Sequence, residues 1–150
     1  MAKQNKFKAK SIELAGFNFD SQLEARAFVR LRELFPDSKI DVHYRFQILN
    51  SILVETTGVR IPGVAWAIDF KVHRKDSLPL FVEAKGAVLP SFKRQLLSFQ
   101  RFHPVVVPYL FIVFENDRYR DSVIQAKSLY LPSSQILSVK SMDSLLYVAT

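Results

Sequence analysis

From residue 64 to residue 73 the chain alternates side chain by side chain, a pattern that fits a half-buried β-strand. Val64, Trp66, Ile68, Phe70 and Val72 fall on one face, and Ala65, Ala67, Asp69, Lys71 and His73 on the other. A second strand is expected over residues 80–85, stopping at Gly86, where a backbone can approach closely. Residues two apart on a strand share a face, so Glu83 and Lys85 project together. The connection between the two strands is short, which makes them neighbours and brings Asp69 beside that pair. The expected outcome is two carboxylates and an ammonium at the end of an apolar sheet.

The other elements follow from turn and periodicity signals. Asp20 or Ser21 can cap a helix running to about Phe35, where Pro36 and Asp37 end it. Residues 43–49 read as a strand and residues 50–62 as a loop or irregular hairpin. Pro90 suits the first turn of a helix reaching about Phe102. Residues 107–114 form an apolar run expected as a strand covered on both faces. A short strand over residues 136–139 and a C-terminal helix from about Ser141 complete the reading. Helix, strand, strand, strand, helix, strand in that order implies an α/β sandwich with a mixed central β-sheet flanked by helices.

Asp69, Glu83 and Lys85 have a chemical use together. Mg²⁺ prefers hard oxygen ligands, which Asp69, Glu83 and the carbonyl of Ala84 supply, and Mn²⁺ is able to substitute. Such an ion polarises a phosphate and acidifies a bound water, while Lys85 offsets charge in the transition state. The alternative is a solvated strand face, but both strands are too apolar for that to be comfortable. On the first helix, Leu23, Ala27, Phe28, Leu31, Leu34 and Phe35 form one stripe, and Glu24 falls inside it. A carboxylate there needs a partner, either a metal or Lys85; the other reading is a first-turn Glu that favours the helix dipole and reaches water.

Charge favours a polyanion partner: Lys and Arg outnumber Asp and Glu by 21 to 14, a formal charge of +7. Within residues 50–62, Thr56, Thr57 and Arg60, with Glu55, offer groups suited to base edges, although a plain surface connection reads as well. Arg45, Lys71, His73 and Arg74, with Lys75, are candidates for phosphate contact. His43, His73 and His103 lack paired ligand spacing, which argues against zinc, and the absence of cysteine excludes thiolate sites and disulfides. With 49% hydrophobic residues and 13 Phe, the 150-residue chain can bury a core as one domain. The four lysines of residues 1–10 suggest a basic N-terminal arm without the apolar stretch of a signal peptide, and no run approaches a membrane span, so a cytoplasmic location is expected.

Ala67-Ile68-Asp69-Phe70 followed by Phe81-Val82-Glu83-Ala84-Lys85-Gly86 resembles the PD-(D/E)XK nuclease core of many restriction enzymes and junction resolvases. Glu24 resembles the acidic residue that the first helix supplies in many members, and the resemblance spans about residues 17–114. Ile68 stands where the literal motif has proline. The resemblance implies a restriction-endonuclease-like fold, metal-dependent DNA hydrolysis, metal ligation by Asp69, Glu83, Ala84 and Glu24, and an auxiliary polar residue on the second helix, with Lys93 the choice over Gln100. Within the superfamily the chain is most similar to homing endonucleases of cyanobacterial group I introns in tRNA genes. That similarity implies double-strand breaks at a long, partly palindromic duplex target, promoting intron insertion. A double-strand break needs two centres, so a homo-oligomer is expected, dimer or tetramer, with residues 135–150 either a candidate contact or a tail packed on its own domain, and no other protein partner implied. Rival readings are a Holliday-junction resolvase of the same fold, a non-catalytic DNA-binding module and an RNA-binding protein.

Overall fold

The two strands that carry the acidic residues lie side by side. In the computed structural model, which describes residues 11–149, β6 (Val64–Val72) pairs antiparallel with β7 (Leu80–Ala84) through Val72 with Leu80, Lys71 with Phe81 and Phe70 with Val82. They belong to a five-stranded mixed sheet, order β3-β6-β7-β8-β9, with β3 (Ile40–Leu49), β8 (Leu110–Phe114) and β9 (Ile136–Ser138). β3 and β6 are antiparallel, whereas β7, β8 and β9 run parallel. Every residue of β7 and β8 is buried, as expected for strands covered on both faces; β8 is an unbroken apolar run, whereas β7 is broken by Glu83.

The first helix, α1 (Gln22–Leu34), begins at Ser21, whose hydroxyl accepts the Glu24 N–H. It packs on one face of the sheet through Leu23, Ala27, Phe28 and Leu31. Phe28 meets Phe70 of β6 at 6.0 Å between ring centroids, and Phe19 lies 5.2 Å from Phe28 and 6.1 Å from Phe70. This aromatic cluster fixes the helix, and hence Glu24, against the strand that bears Asp69. On the other face, α2 (Pro90–Phe102) packs through Phe92, Leu96 and Phe99, with Trp66 edge-on to Phe92 and Phe99. The architecture is an α/β sandwich with its helices on both sides of a mixed sheet. Among the described residues no helix is long and apolar enough to cross a membrane.

The structure departs from the sequence expectations in several places. Trp66 and Ile68 join the core beneath α2, but Phe70 and Val72 join the core beneath α1, so the five alternating residues do not share one core. The change comes at Asp69, opposite His43, whose φ of 53° interrupts the β3–β6 ladder. Strand β3 starts at Ile40 rather than His43, because Ile40 and Val42 still pair with β6. Residues 107–109 form a 3-10 turn, where Pro108 has no N–H to give a ladder. The C-terminal stretch Val139–Tyr147 is a 3-10 helix rather than an α-helix, and Met142 and Leu145 are buried in the α1-side core. That part of the tail therefore serves its own chain, and only Leu146 and Tyr147 remain as large exposed apolar residues there.

Two elements were not anticipated. A hairpin of β1 (Ile12–Leu14) and β2 (Phe17–Phe19) turns through Ala15 and Gly16, both at positive φ. A third helix, α3 (Asp117–Ala126), is capped by Asn116 but buries only Val123, so its sequence shows little apolar stripe. The basic arm expected at residues 1–10 lies outside the described residues.

Residues 50–62 do form a hairpin, β4 (Ile52–Val54) with β5 (Val59–Ile61). Its base is held by Gln47, whose side-chain amide donates to the Leu49 carbonyl at 2.6 Å and the Val64 carbonyl at 3.2 Å. A methyl group on Gly63 would run into the Leu49 backbone oxygen and the Gln47 amide. Gly63→Ala is expected to destabilise the fold by about 1–3 kcal/mol, the usual range for overpacking. Urea denaturation measures it, and an unchanged midpoint would show that the hairpin base is pliable.

Candidate active site

Asp69 sits where β6 parts from β7: ladder pairing ends at Phe70 with Val82, one residue short of Asp69 and Glu83. Side chains replace the missing ladder bonds. The Asp69 N–H donates to Glu83 Oε2 at 2.9 Å, and the Ala84 N–H donates to Asp69 Oδ2 at 2.8 Å. Both carboxylates are therefore held by backbone, at 7% exposure for Asp69 and 3% for Glu83. Lys85 extends from the end of β7, with its Nζ 3.0 Å from Glu83 Oε1 and 4.8 Å over the Phe92 ring. The Lys85 N–H donates to the Val113 carbonyl, which fixes the strand end.

Two carboxylates this close and this dry cannot both ionise easily. Burial, and then the neighbouring charges of Glu83 and Glu24, push the Asp69 carboxyl up to about 9. Burial also raises Glu83, while Lys85 and the Asp69 N–H pull it back down. At neutral pH the pair is thus short of one positive charge and retains a proton.

Beside the pair lies a cleft of about 440 Å³ lined by Ser21, Glu24, Ala84, Lys85, Phe92 and Gln95, among others; Asp69 and Glu83 lie behind this lining rather than in it. The structure thus brings Glu24, Ala84 and Lys85 together as expected. The partner of Glu24, however, is not Lys85. Its Oε2 accepts the Asp20 N–H at 3.3 Å and lies 3.6 Å from His43 Nε2. Ligand-type atoms of Asp20, Glu24 and His43 all fall within 4.8 Å of one another. The two readings of Glu24 merge: it belongs to the first turn of α1, and its side chain, 12% exposed, still reaches the cleft.

Lys93 is misplaced by the sequence reading. It is exposed on the far flank of α2, beside Tyr119 and Ser122, and lines a different pocket. The cleft is lined instead by Ser91 and Gln95, on the opposite flank of the Phe92–Leu96–Phe99 stripe. Helical spacing identifies both flanks, but only the placement of α2 on the sheet decides which one faces Lys85. Gln100 is structural: its amide donates to the carbonyls of Leu129 and Tyr130.

The proposed DNA contacts divide by position. His73 and Arg74 follow the end of β6 that pairs with the start of β7, away from the cleft at the end of β7. His73 is bound to Asp41 at 2.7 Å, and Arg74 donates to the carbonyls of Leu78, Val148 and Ala149, tying down the tail. Both side chains are tied into the fold. Lys71 lies over the Tyr44 ring at 4.2 Å. Arg45 is exposed on β3 and pairs with Ala67 of β6. Thr56 and Thr57 are at the tip of the β4–β5 hairpin; Thr57 closes the turn by bonding to Val54 and Val59, and Arg60 donates to Ser51.

Glu24→Gln tests the contribution of α1. If its charge serves the cleft, divalent-cation affinity, read as a cation-induced rise in melting temperature, is expected to weaken while cation-free stability changes little. An unchanged cation response would remove Glu24 from the site.

No curated protein and no solved structure matches the chain. The model of one family, described as "Protein of unknown function (DUF1064)", matches residues 4–116, a span holding α1, both carboxylate-bearing strands and α2. The chain belongs to the DUF1064 family.

Proposed function

We propose that this protein is a metal-dependent DNA endonuclease that hydrolyses phosphodiester bonds at the cleft between α1, β7 and α2. The observation that carries the reading is the buried Asp69–Glu83 pair, locked by crossed backbone hydrogen bonds, with Lys85 at 3.0 Å from Glu83. A purely structural role for two adjoining buried carboxylates is poorly motivated, because burial raises both and so destabilises the ionised fold, with the charges of Glu83 and Glu24 adding to the effect on Asp69. The donor set suits a hard divalent cation such as Mg²⁺ or Mn²⁺: carboxylate oxygens, and a retained proton that a cation can displace. Asp69 and Glu83 would hold it with the Ala84 carbonyl, while Glu24, which clusters with Asp20 and His43, lines the same cleft as Ala84 and Lys85. Bound there, the cation supplies Lewis acidity toward a phosphate and lowers the pKa of a coordinated water.

The chain's own groups do the rest. Backbone N–H donors keep both carboxylates in fixed orientations, so no reorganisation is needed on binding. Lys85, steadied over Phe92, presents an ammonium to the cleft, where it stabilises negative charge on an attacked phosphate. Gln95 and Ser91 offer hydrogen bonds to phosphate oxygens from the α2 side. The net charge of +7 favours a nucleic-acid backbone over a neutral substrate.

The resemblance to intron-encoded homing endonucleases narrows the proposal to site-specific double-strand cutting of a long, partly palindromic duplex by a dimer or tetramer, promoting group I intron insertion into a tRNA gene. The test is incubation with Mg²⁺ and a plasmid carrying an intronless tRNA gene, alongside a synthetic four-way junction. Discrete linear product supports homing. Symmetric cutting of the junction alone assigns a resolvase with the same centre. Binding without cutting of either substrate would leave a DNA-binding module.

A further inference from the structure

The β4–β5 hairpin has no core of its own. Its register pairs Ile52 with Ile61 and Val54 with Val59, which puts all four on one face, with Leu53 and Arg60 on the other. The first face is wholly apolar, yet Ile52 is 57%, Val59 58% and Ile61 47% exposed. The hairpin packs mainly against itself. A lone two-stranded ribbon with a bare β-branched face is marginal in water, and such faces mark interaction surfaces. Its base is fastened by the Gln47 amide and packed closely at Gly63.

We propose that this face is the surface on which a second copy of the chain docks, ribbon against ribbon about a two-fold axis. Charge selects the occupant. Residues 50–62 hold one acid, Glu55, and one base, Arg60, in a chain whose net charge is +7. A ribbon made to lie along phosphates would be basic; this one is neutral. Two copies at +7 repel over most of their surface and approach best where neither carries charge. The face is also self-complementary, with an isoleucine pair and a valine pair, so an isologous contact sets like shapes against each other. Stacked with the exposed Leu49 and Val64 at the hairpin base, two such faces bury on the order of 1,000 Å², the size of a dissociable pair. The docking rests on the nuclease reading only for its use, which is to set two cutting centres on one duplex.

Sedimentation equilibrium from micromolar to millimolar protein is the test. The wild type is expected to shift from monomer to dimer, the double variant Ile52→Glu/Val59→Glu to remain monomeric, and Leu53→Glu, on the opposite face, to dimerise like wild type. Because the chain has no cysteine, single Cys substitutions read the geometry without adding charge: a short bismaleimide is expected to cross-link Ile61→Cys and not Leu53→Cys. A wild type that stays monomeric throughout overturns the proposal, as does equal cross-linking of the two Cys variants. So does a double variant that still dimerises, including one that loses duplex affinity and thereby assigns the ribbon to DNA. A monomeric wild type that cuts DNA with Mg²⁺ would sink the docking and leave the nuclease reading; a ribbon dimer that never cuts would do the reverse.

Discussion

Asp69→Asn is expected to abolish metal-dependent DNA cutting, leave duplex binding largely unchanged, and raise the stability of the cation-free protein at alkaline pH. Cutting is lost because a neutral amide is a poor ligand for a hard divalent cation. Binding persists because the basic surface is untouched. The gain in stability follows from proton linkage. The Asp69 carboxyl moves from its ordinary 3.8 up to about 9 on folding, through burial and the charges of Glu83 and Glu24. Between those values the folded chain keeps a proton that the unfolded chain has released. The stabilisation from that proton is complete below the ordinary value and drains away as pH rises through about 9. Asparagine never ionises, and its side-chain oxygen can still accept the Ala84 N–H that now binds Asp69. Thermal unfolding at mildly acidic and alkaline pH should therefore show a fall in wild-type stability that the variant largely lacks. Divalent cation should stabilise the wild type, more so at higher pH, and fail to stabilise the variant. Full cutting by both Asp69→Asn and Glu83→Gln would remove the pair from catalysis.

Lys85→Ala is the second test with a large expected effect: cutting should fall by roughly 100-fold, the scale of losing one transition-state donor, with DNA affinity largely retained. The ammonium is only 3.0 Å from Glu83 Oε1, and it is the nearby cation that offsets the burial of that carboxylate. Without it Glu83 is left buried and unpaired, so its carboxyl should rise further and cation-free stability at neutral pH should drop. Single-turnover cleavage and thermal unfolding separate the two effects. A variant that cuts within about a factor of two of wild type, against the loss expected for a transition-state donor, would make Lys85 an ion-pair partner only.

The strands that bear the acidic residues were readable because residues 64–73 alternate in sequence and residues 80–85 form a short, mostly apolar segment bounded by Pro79 and Gly86. The caps of α1 and α2 were readable for a similar reason: Ser21 and Pro90 act locally on the backbone. Helix α3 was not, since a helix that buries only Val123 leaves almost no apolar signature. The 3-10 tail was misread as α-helical because Met142 and Leu145 carry the apolar signal, while the tightness of the turn depends on what they pack against.

What the sequence determined by itself is the inventory and its local order: Asp69 on one strand, Glu83 and Lys85 two apart on the next, Glu24 in the first turn of a helix. These follow from backbone periods of 2 and 3.6 residues, which act over a few neighbours at a time. The tertiary structure alone decided three things. It parted β6 from β7 at Asp69, so that carboxylates took over ladder hydrogen bonds. It turned the Gln95 flank of α2 rather than the Lys93 flank toward Lys85. It engaged His73 with Asp41 and Arg74 with the C-terminal tail. The hydrogen bonds among these join residues 14 to 75 apart in the chain. Such choices are settled by which side chains fill the space between packed layers, and no local pattern encodes that.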